Sequence, residues 1–400
     1  MRTCDLACPV LSSIVFHRPT GVSGAAACTS GDADRFTDKM PIAIMRWFVR
    51  DDLFMNATIR AAKNPGKFLR LCVTILGLVV LAMPISARDA FPEAYYVARD
   101  AGWAEAVLRL RDPQAFADFA QRVGGWRVEG PIDDEWWIRD QESGVGAIRV
   151  LRAPREIDPP KPFSPWDTGG LFSLMTRSNN TLDVYRSALE SGWTALNAPV
   201  SLDFGGVTLA NVILRGPDAL HIAVYERLQP RLPEAIDLQK LRRPFNSMQV
   251  VRDLAAARTF YIDTLGFEII AEGRFKAPPG TPSNFGIPES LAAGSALDYL
   301  IVGPSAKGPT QIEVVSFAGL AGRARSVTET SRLGLIALRF PVRSLTRVVS
   351  RLERERYPHQ STVRAMPPFG VVRMVRIRSP EGAQLEFFEL PSQDGQPQSP

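Results

Sequence analysis

Cysteine is scarce and confined to one end of the chain: the 400 residues hold four, Cys4, Cys8, Cys28 and Cys72, and none follows. Everything after Cys72 therefore lacks a disulfide, a thiolate nucleophile and a thiolate metal ligand, which is compatible with an oxidising compartment without demanding one. An excess of one charge is missing too. Against 47 Lys and Arg stand 42 Asp and Glu, a formal net charge of +5 with a pI near 9.1. No basic run is interleaved with aromatics, so nucleic acid is not an expected partner. The apolar run Leu71 to Met83 falls well short of the roughly 20 residues needed to cross a bilayer. What remains, 45% apolar and 22% charged, is the composition of a globular protein with room for two or three domains.

Arg60, Lys63, Lys67 and Arg70 lead into that apolar run, and Pro84-Ile85-Ser86-Ala87 closes it. A basic segment, a short apolar core and small residues in this order read as a secretory signal over residues 55–90, with the start near Met55 (or Met45) and the mature chain beginning near Arg88 or Phe91. The expected location is exported, periplasmic or extracellular, with no stable membrane span once the signal is cleaved. An uncleaved signal anchor is the alternative, because Ile85 is larger than the cleavage site prefers. Residues 1–54 carry no periodic pattern and read as an over-extended or disordered leader.

The remainder repeats itself. Leu110-Arg111-Asp112, Phe119 and Gly125-Trp126 recur with identical spacing as Val251-Arg252-Asp253, Phe260 and Gly266-Phe267. Each copy is a strand, a capping Asp, apolar residues at helical spacing and a terminating Gly. A third copy runs from Asn179 to Gly192-Trp193, and a fourth, without the Gly, from Ile336 through Leu345, Val348 and Leu352. The closing strands repeat as well: Arg215-Gly216-Pro217-Asp218-Ala219 leads to Ile222–Glu226, as Arg378-Ser379-Pro380-Glu381-Gly382 leads to Leu385–Glu389. Four modules paired as sequence neighbours give an α+β protein of two domains, 91–228 and 243–391, joined by a polar linker, 229–242, and followed by a disordered tail, 392–400. Lys276 to Ser295, rich in Pro, Gly and Ser, is a long insertion between early strands of the third module, readable as a lid over a cleft or as a surface loop.

The elements Phe260-Tyr261-Ile262-Asp263-Thr264-Leu265-Gly266-Phe267 and Ser379-Pro380-Glu381-Gly382-Ala383-Gln384-Leu385-Glu386-Phe387-Phe388 resemble the vicinal-oxygen-chelate superfamily of glyoxalases, bleomycin-resistance proteins and extradiol dioxygenases. The resemblance implies βαβββ modules that pair around a cleft, with divalent-metal ligands on the first and last strand of each module. Counted from the motifs, those positions are Asn246, Glu313, Leu335 and Glu386 in the C-terminal half, and Glu105, approximately Arg149, Phe172 and Ala223 in the N-terminal half.

Beyond the signal the chain has two histidines, His221 and His359, neither at such a position, so oxygen activation by iron on two His and a carboxylate is excluded. Glu313 and Glu386 survive as carboxylates. On a shared cleft they would raise each other's pKa unless a cation, a proton or a basic ligand relieved them, and Arg376 and Arg378 on the preceding strand offer that cation or a grip on an anion. The N-terminal half reads as degenerate, Glu105 beside Arg149 being a salt bridge. Trp126 and Trp193 are expected in its core, while one of the adjacent Trp136 and Trp137 can line a cleft.

The first expectation is an exported protein that binds a small organic ligand at Asn246, Glu313, Arg376 and Glu386, without a cofactor. The second is a lyase or isomerase of glyoxalase type that holds a weak Mn²⁺, Mg²⁺ or Ca²⁺ with Glu313 and Glu386. The third is a scaffold for homo-oligomerisation.

Overall fold

The computed structural model describes residues 102–140, 146–203, 206–231, 240–278, 280–330 and 332–389. The leader, the signal segment, linker residues 232–239 and the tail lie outside the described residues. The described residues fall within one compact unit.

Four modules follow one another. The first is β1 (Glu105–Leu110), α1 (Pro113–Phe119), β2 (Arg127–Ile132), β3 (Glu135–Arg139) and β4 (Ala147–Arg152). The second is β5 (Leu171–Arg177), α2 (Thr181–Glu190), β6 (Thr194–Ala195), β7 (Val200–Asp203), β8 (Thr208–Arg215) and β9 (His221–Gln229). The third is β10 (Asn246–Val250), α3 (Leu254–Arg258), β11 (Glu268–Phe275), α4 (Glu289–Ala292), β12 (Ala296–Gly303) and β13 (Gln311–Ala318). A short helix, α5 (Val327–Thr330), leads to the fourth: β14 (Gly334–Val342), α6 (Leu345–Arg354), β15 (Gln360–Ala365), β16 (Val371–Arg378) and β17 (Gln384–Glu389).

The repeat motif acts as its residues suggest. Asp112, Asn180, Asp253 and Ser344 each accept a backbone N–H three residues on and so cap α1, α2, α3 and α6. Gly125, Gly192 and Gly266 then turn the chain at positive φ. The fourth module, which lacks the glycine, makes the same turn with Arg356 at φ 52°, a conformation that disfavours any residue with a Cβ. The helices pack on one face of the sheets with Phe116, Phe119, Val184, Phe260, Leu345 and Val348 among the buried side chains.

Pairing of the modules departs from the sequence expectation. One sheet has the order β15-β16-β17-β14-β1-β4-β3-β2 and the other β11-β12-β13-β10-β5-β9-β8-β6 with β7 on β8. The first module therefore pairs with the fourth and the second with the third, so each sheet is built from both halves of the sequence. The junction strands fix this: Glu105 lies opposite Arg339 across β1 and β14, and Asn246 opposite Met175 across β10 and β5. Turns tie the sequence neighbours together instead. Asp218, in the turn before β9, accepts from the Arg111 backbone at 2.7 Å and its guanidinium at 2.6 Å, and Glu381, in the matching turn before β17, accepts the N–H of Asp253 at 3.0 Å. Trp103 Nε1 donates to the Gln311 carbonyl at 2.9 Å, and Thr310 Oγ1 returns a bond to the Trp103 carbonyl at 2.7 Å.

Candidate functional site

The cross-pairing separates the two carboxylates that the sequence placed together. Glu386 stands on β17 in the first–fourth sheet and Glu313 on β13 in the second–third sheet. They share no site, and Arg376 goes with Glu386 while Asn246 goes with Glu313.

At the centre of the first–fourth sheet the inward residues form a closed ion-pair network. Glu105 is fully buried, and Arg149, Arg339 and Glu386 are at most 2% exposed. Glu105 accepts from Arg149 at 2.6 and 3.0 Å and from Arg339 at 3.0 Å. Glu386 accepts from Arg339 at 2.8 Å, Arg376 at 3.0 Å and Gln384 at 2.8 Å. Arg149 reaches on to Glu135 at 3.0 Å and to the Pro367 carbonyl. Burial works against the Glu386 charge, but the Arg339 and Arg376 guanidinium groups outweigh it and hold the carboxyl below its ordinary range. Two of the four positions from which a divalent ion would be bound carry guanidinium groups, and both carboxylates are spent on them. This donor set does not fit a metal.

The motif count reached Glu105, Arg149 and Glu386 but gave Leu335 where Arg339 stands. In the first and third modules the capping residue lies seven positions beyond the inward strand residue (Glu105 to Asp112, Asn246 to Asp253); in the second and fourth it lies five beyond (Met175 to Asn180, Arg339 to Ser344). The same shorter loop puts Met175, not Phe172, opposite Asn246.

The second–third sheet is open. Over its inward face lies a cavity of about 150 Å³, walled by Met175, Tyr225, Phe245, Met248, Tyr299 and Phe317 and roofed by residues 281–287 of the insertion. Glu313 faces this cavity because β13 alternates: Ile312 and Val314 are fully buried on the helical side, which turns Glu313 the other way, beside Ile301 and Met248 on the flanking strands. Glu313 has no hydrogen-bond or ion-pair partner among the described residues. Glu313 is half-buried at the cavity wall, and loss of water pushes its carboxyl up to about 7. The Tyr225 and Tyr299 hydroxyls are raised first by burial and then by the Glu313 charge, which places both near the carboxyl as neutral phenols. Asn246 also lines the cavity, although its side-chain oxygen accepts the Ser247 N–H at 2.9 Å. One carboxylate, the amides of Asn246, Asn284 and Gln311, and thioethers are not a divalent-metal set either. Among the described residues no group of three or more His, Cys, Asp or Glu is placed to hold a metal ion.

The insertion is a roof in this structure. Asn284 Nδ2 donates to Asn211 Oδ1 at 2.7 Å and Asn197 Nδ2 to the Ser283 carbonyl at 2.8 Å, so a segment of the third module is latched to the second. Phe285 packs edge-on against Phe317 at 5.0 Å. Of the two adjacent tryptophans, Trp136 is buried in the core, and Trp137 lies beside Arg149 across β3 and β4 on the ion-pair face of the first–fourth sheet.

No family model matches the chain, and no curated protein matches it. Solved structures do. Glyoxalase I from Zea mays superposes with a TM-score of 0.50 at 12% identity, over 72% of this chain and 92% of that one. The chain has the vicinal-oxygen-chelate fold. A triple mutant of 4-hydroxymandelate synthase from Streptomyces coelicolor matches at 16% identity over 73% of this chain and 93% of that one, with a TM-score of 0.27. The cppA protein of Streptococcus pneumoniae TIGR4 matches at 11% over 72% and 97%, with a TM-score of 0.37. At such identities the likeness reaches the fold and stops there, because one vicinal-oxygen-chelate scaffold can carry unrelated chemistry.

Proposed function

We propose that this protein binds a small organic ligand in the cavity of the second–third sheet. The observation that carries the reading is a single carboxylate, Glu313, facing an otherwise largely apolar, aromatic-walled cavity with no partner of its own. A concave, mostly apolar site with a few convergent polar groups is the usual form of a small-molecule pocket, and a desolvated unpaired carboxylate is costly unless something arrives to pair with it. Export fits the signal-like segment over residues 55–90, and N-terminal sequencing of secreted material tests it. Both clefts are completed within one chain, so the ligand reading needs no oligomer.

An uncharged fluorescent probe, N-phenyl-1-naphthylamine, tests the cavity. Wild type should bind it with enhanced emission, and Ala296→Trp, which fills the cavity from its wall, should abolish the enhancement while leaving the circular dichroism spectrum intact. Equal emission from both proteins would refute the reading.

A second reading keeps a lyase or isomerase activity at the same place, because a carboxyl that titrates near neutrality is matched to proton transfer. Glu386 has no part in it, held as it is on the other sheet. Turnover lost in Glu313→Gln and retained in an Ala337→Ser control would support this version.

A further inference from the structure

We infer that the ligand of the second–third cavity is an organic amine: a single cationic nitrogen on an apolar or aromatic body. The inference rests on the cavity being a binding site at all, and it names the class of molecule that fits.

Glu313 and Arg227 are the charged residues among those lining the cavity. Burial accounts for the behaviour of the Glu313 carboxyl with no contribution from any cation, and Arg227 is influenced by its own burial and by Arg177, not by Glu313. The carboxylate and that guanidinium therefore do not compensate each other. Apart from Arg227, what lines the cavity with Glu313 on the packed elements is uncharged: Tyr225 on β9, Tyr299 on β12, Asn246 and Met248 on β10, and on the roof Phe285 and Ile287. An anionic ligand would meet an unpaired carboxylate, and a wholly neutral one would leave that carboxylate desolvated.

An ammonium group satisfies both demands. It supplies the missing charge-assisted hydrogen bond to Glu313. It also finds aromatic rings around it, since Tyr225, Tyr299, Phe245, Phe285 and Phe317 all line the cavity, and aromatic rings attract cations. Phe245 already carries one cation in this way, the Arg177 guanidinium at 4.3 Å from its centroid. The apolar remainder of the ligand then packs against Met175, Leu297 and Ile301.

Three probes matched in shape separate the possibilities: 4-phenylbutylamine, 4-phenylbutanol and 4-phenylbutyrate, titrated calorimetrically into the full mature chain and into Glu313→Gln. At pH 8 wild type should bind the amine roughly tenfold or more above the alcohol, the scale of a hydrogen bond to a charged group, and should bind the carboxylate least. Glu313→Gln should bring the amine down to the affinity of the alcohol and leave the alcohol unchanged. Amine affinity in wild type should also rise between pH 5.5 and 8 as Glu313 ionises. Equal affinities for amine and alcohol, an equal loss of both in Glu313→Gln, or a preference for the carboxylate would overturn the amine inference and leave the cavity reading standing. Binding of none of the three, together with no enhancement of N-phenyl-1-naphthylamine, would overturn both.

Discussion

Glu313 and Glu386 occupy comparable places on two repeated last strands, yet their surroundings give them opposite effects on stability. Glu313 is desolvated without a partner, so its folded pKa of about 7 lies above the ordinary value of 4.5. Its penalty is absent while the group is protonated in both states, grows as pH rises from 4.5 to 7, and is full above 7. A shift of that size corresponds to about 3 kcal/mol. Glu313→Gln should therefore unfold in urea like wild type at pH 4.5 and be more stable at pH 8, by up to that amount; equal stability at pH 8 would show that the carboxyl is paired. Glu386 runs the other way. Its folded pKa is lowered, so it contributes stability above the ordinary carboxylate range that is lost as pH falls through the folded value. Glu386→Gln removes one partner from a buried network and leaves Arg339 and Arg376 undercompensated, which should cost roughly 3 kcal/mol at neutral pH in the same urea assay. Mutual repulsion between the two glutamates, expected had they shared a cleft, does not operate because they stand on different sheets.

At the scale of elements, the helices and turns were legible in the sequence because their signals are local. A capping Asp, a Gly six residues past the Phe, and a Pro turn before an alternating strand each act within a few residues. The insertion after β11 was legible as an unusual length of Pro, Gly and Ser, but its role was not, because the contacts that make it a roof come from Asn197 and Asn211 of another module. If those bonds hold the roof down, Asn284→Ala should weaken N-phenyl-1-naphthylamine binding about fivefold, the worth of one hydrogen bond of about 1 kcal/mol, with no change in far-ultraviolet circular dichroism. Unchanged affinity would assign the insertion to the surface. The inward residues of β5 and β14 were misplaced for a related reason: the loop from strand to cap is two residues shorter in those modules, and nothing in their composition announces it.

For the whole molecule, the decisive feature is which modules pair, and that is the least local of all. The junctions β1–β14 and β10–β5 join strands far apart in sequence. All four modules carry similar motifs, so neither neighbour pairing nor the observed arrangement is written in any one of them. A chain of residues 241–400 lacks β1 for β14 and β5 for β10, and should expose both junction strands and their apolar faces. Alone it should lack a cooperative thermal transition, and co-expression with residues 88–240 should restore one. A cooperative, monomeric 241–400 fragment would contradict the pairing. The cross-pairing also explains why the two sheets differ. One assembles Glu105, Arg149, Arg339 and Glu386 into a self-neutralised centre, and the other leaves Glu313 alone before a cavity.

That contrast is tested most directly by titrating the side-chain carboxyl of Glu313 by carbon-13 NMR, with and without 4-phenylbutylamine. The free protein should show a midpoint near 7, and the amine should move it downward by favouring the ionised form. A midpoint near the ordinary 4.5, unmoved by the amine, would contradict the account.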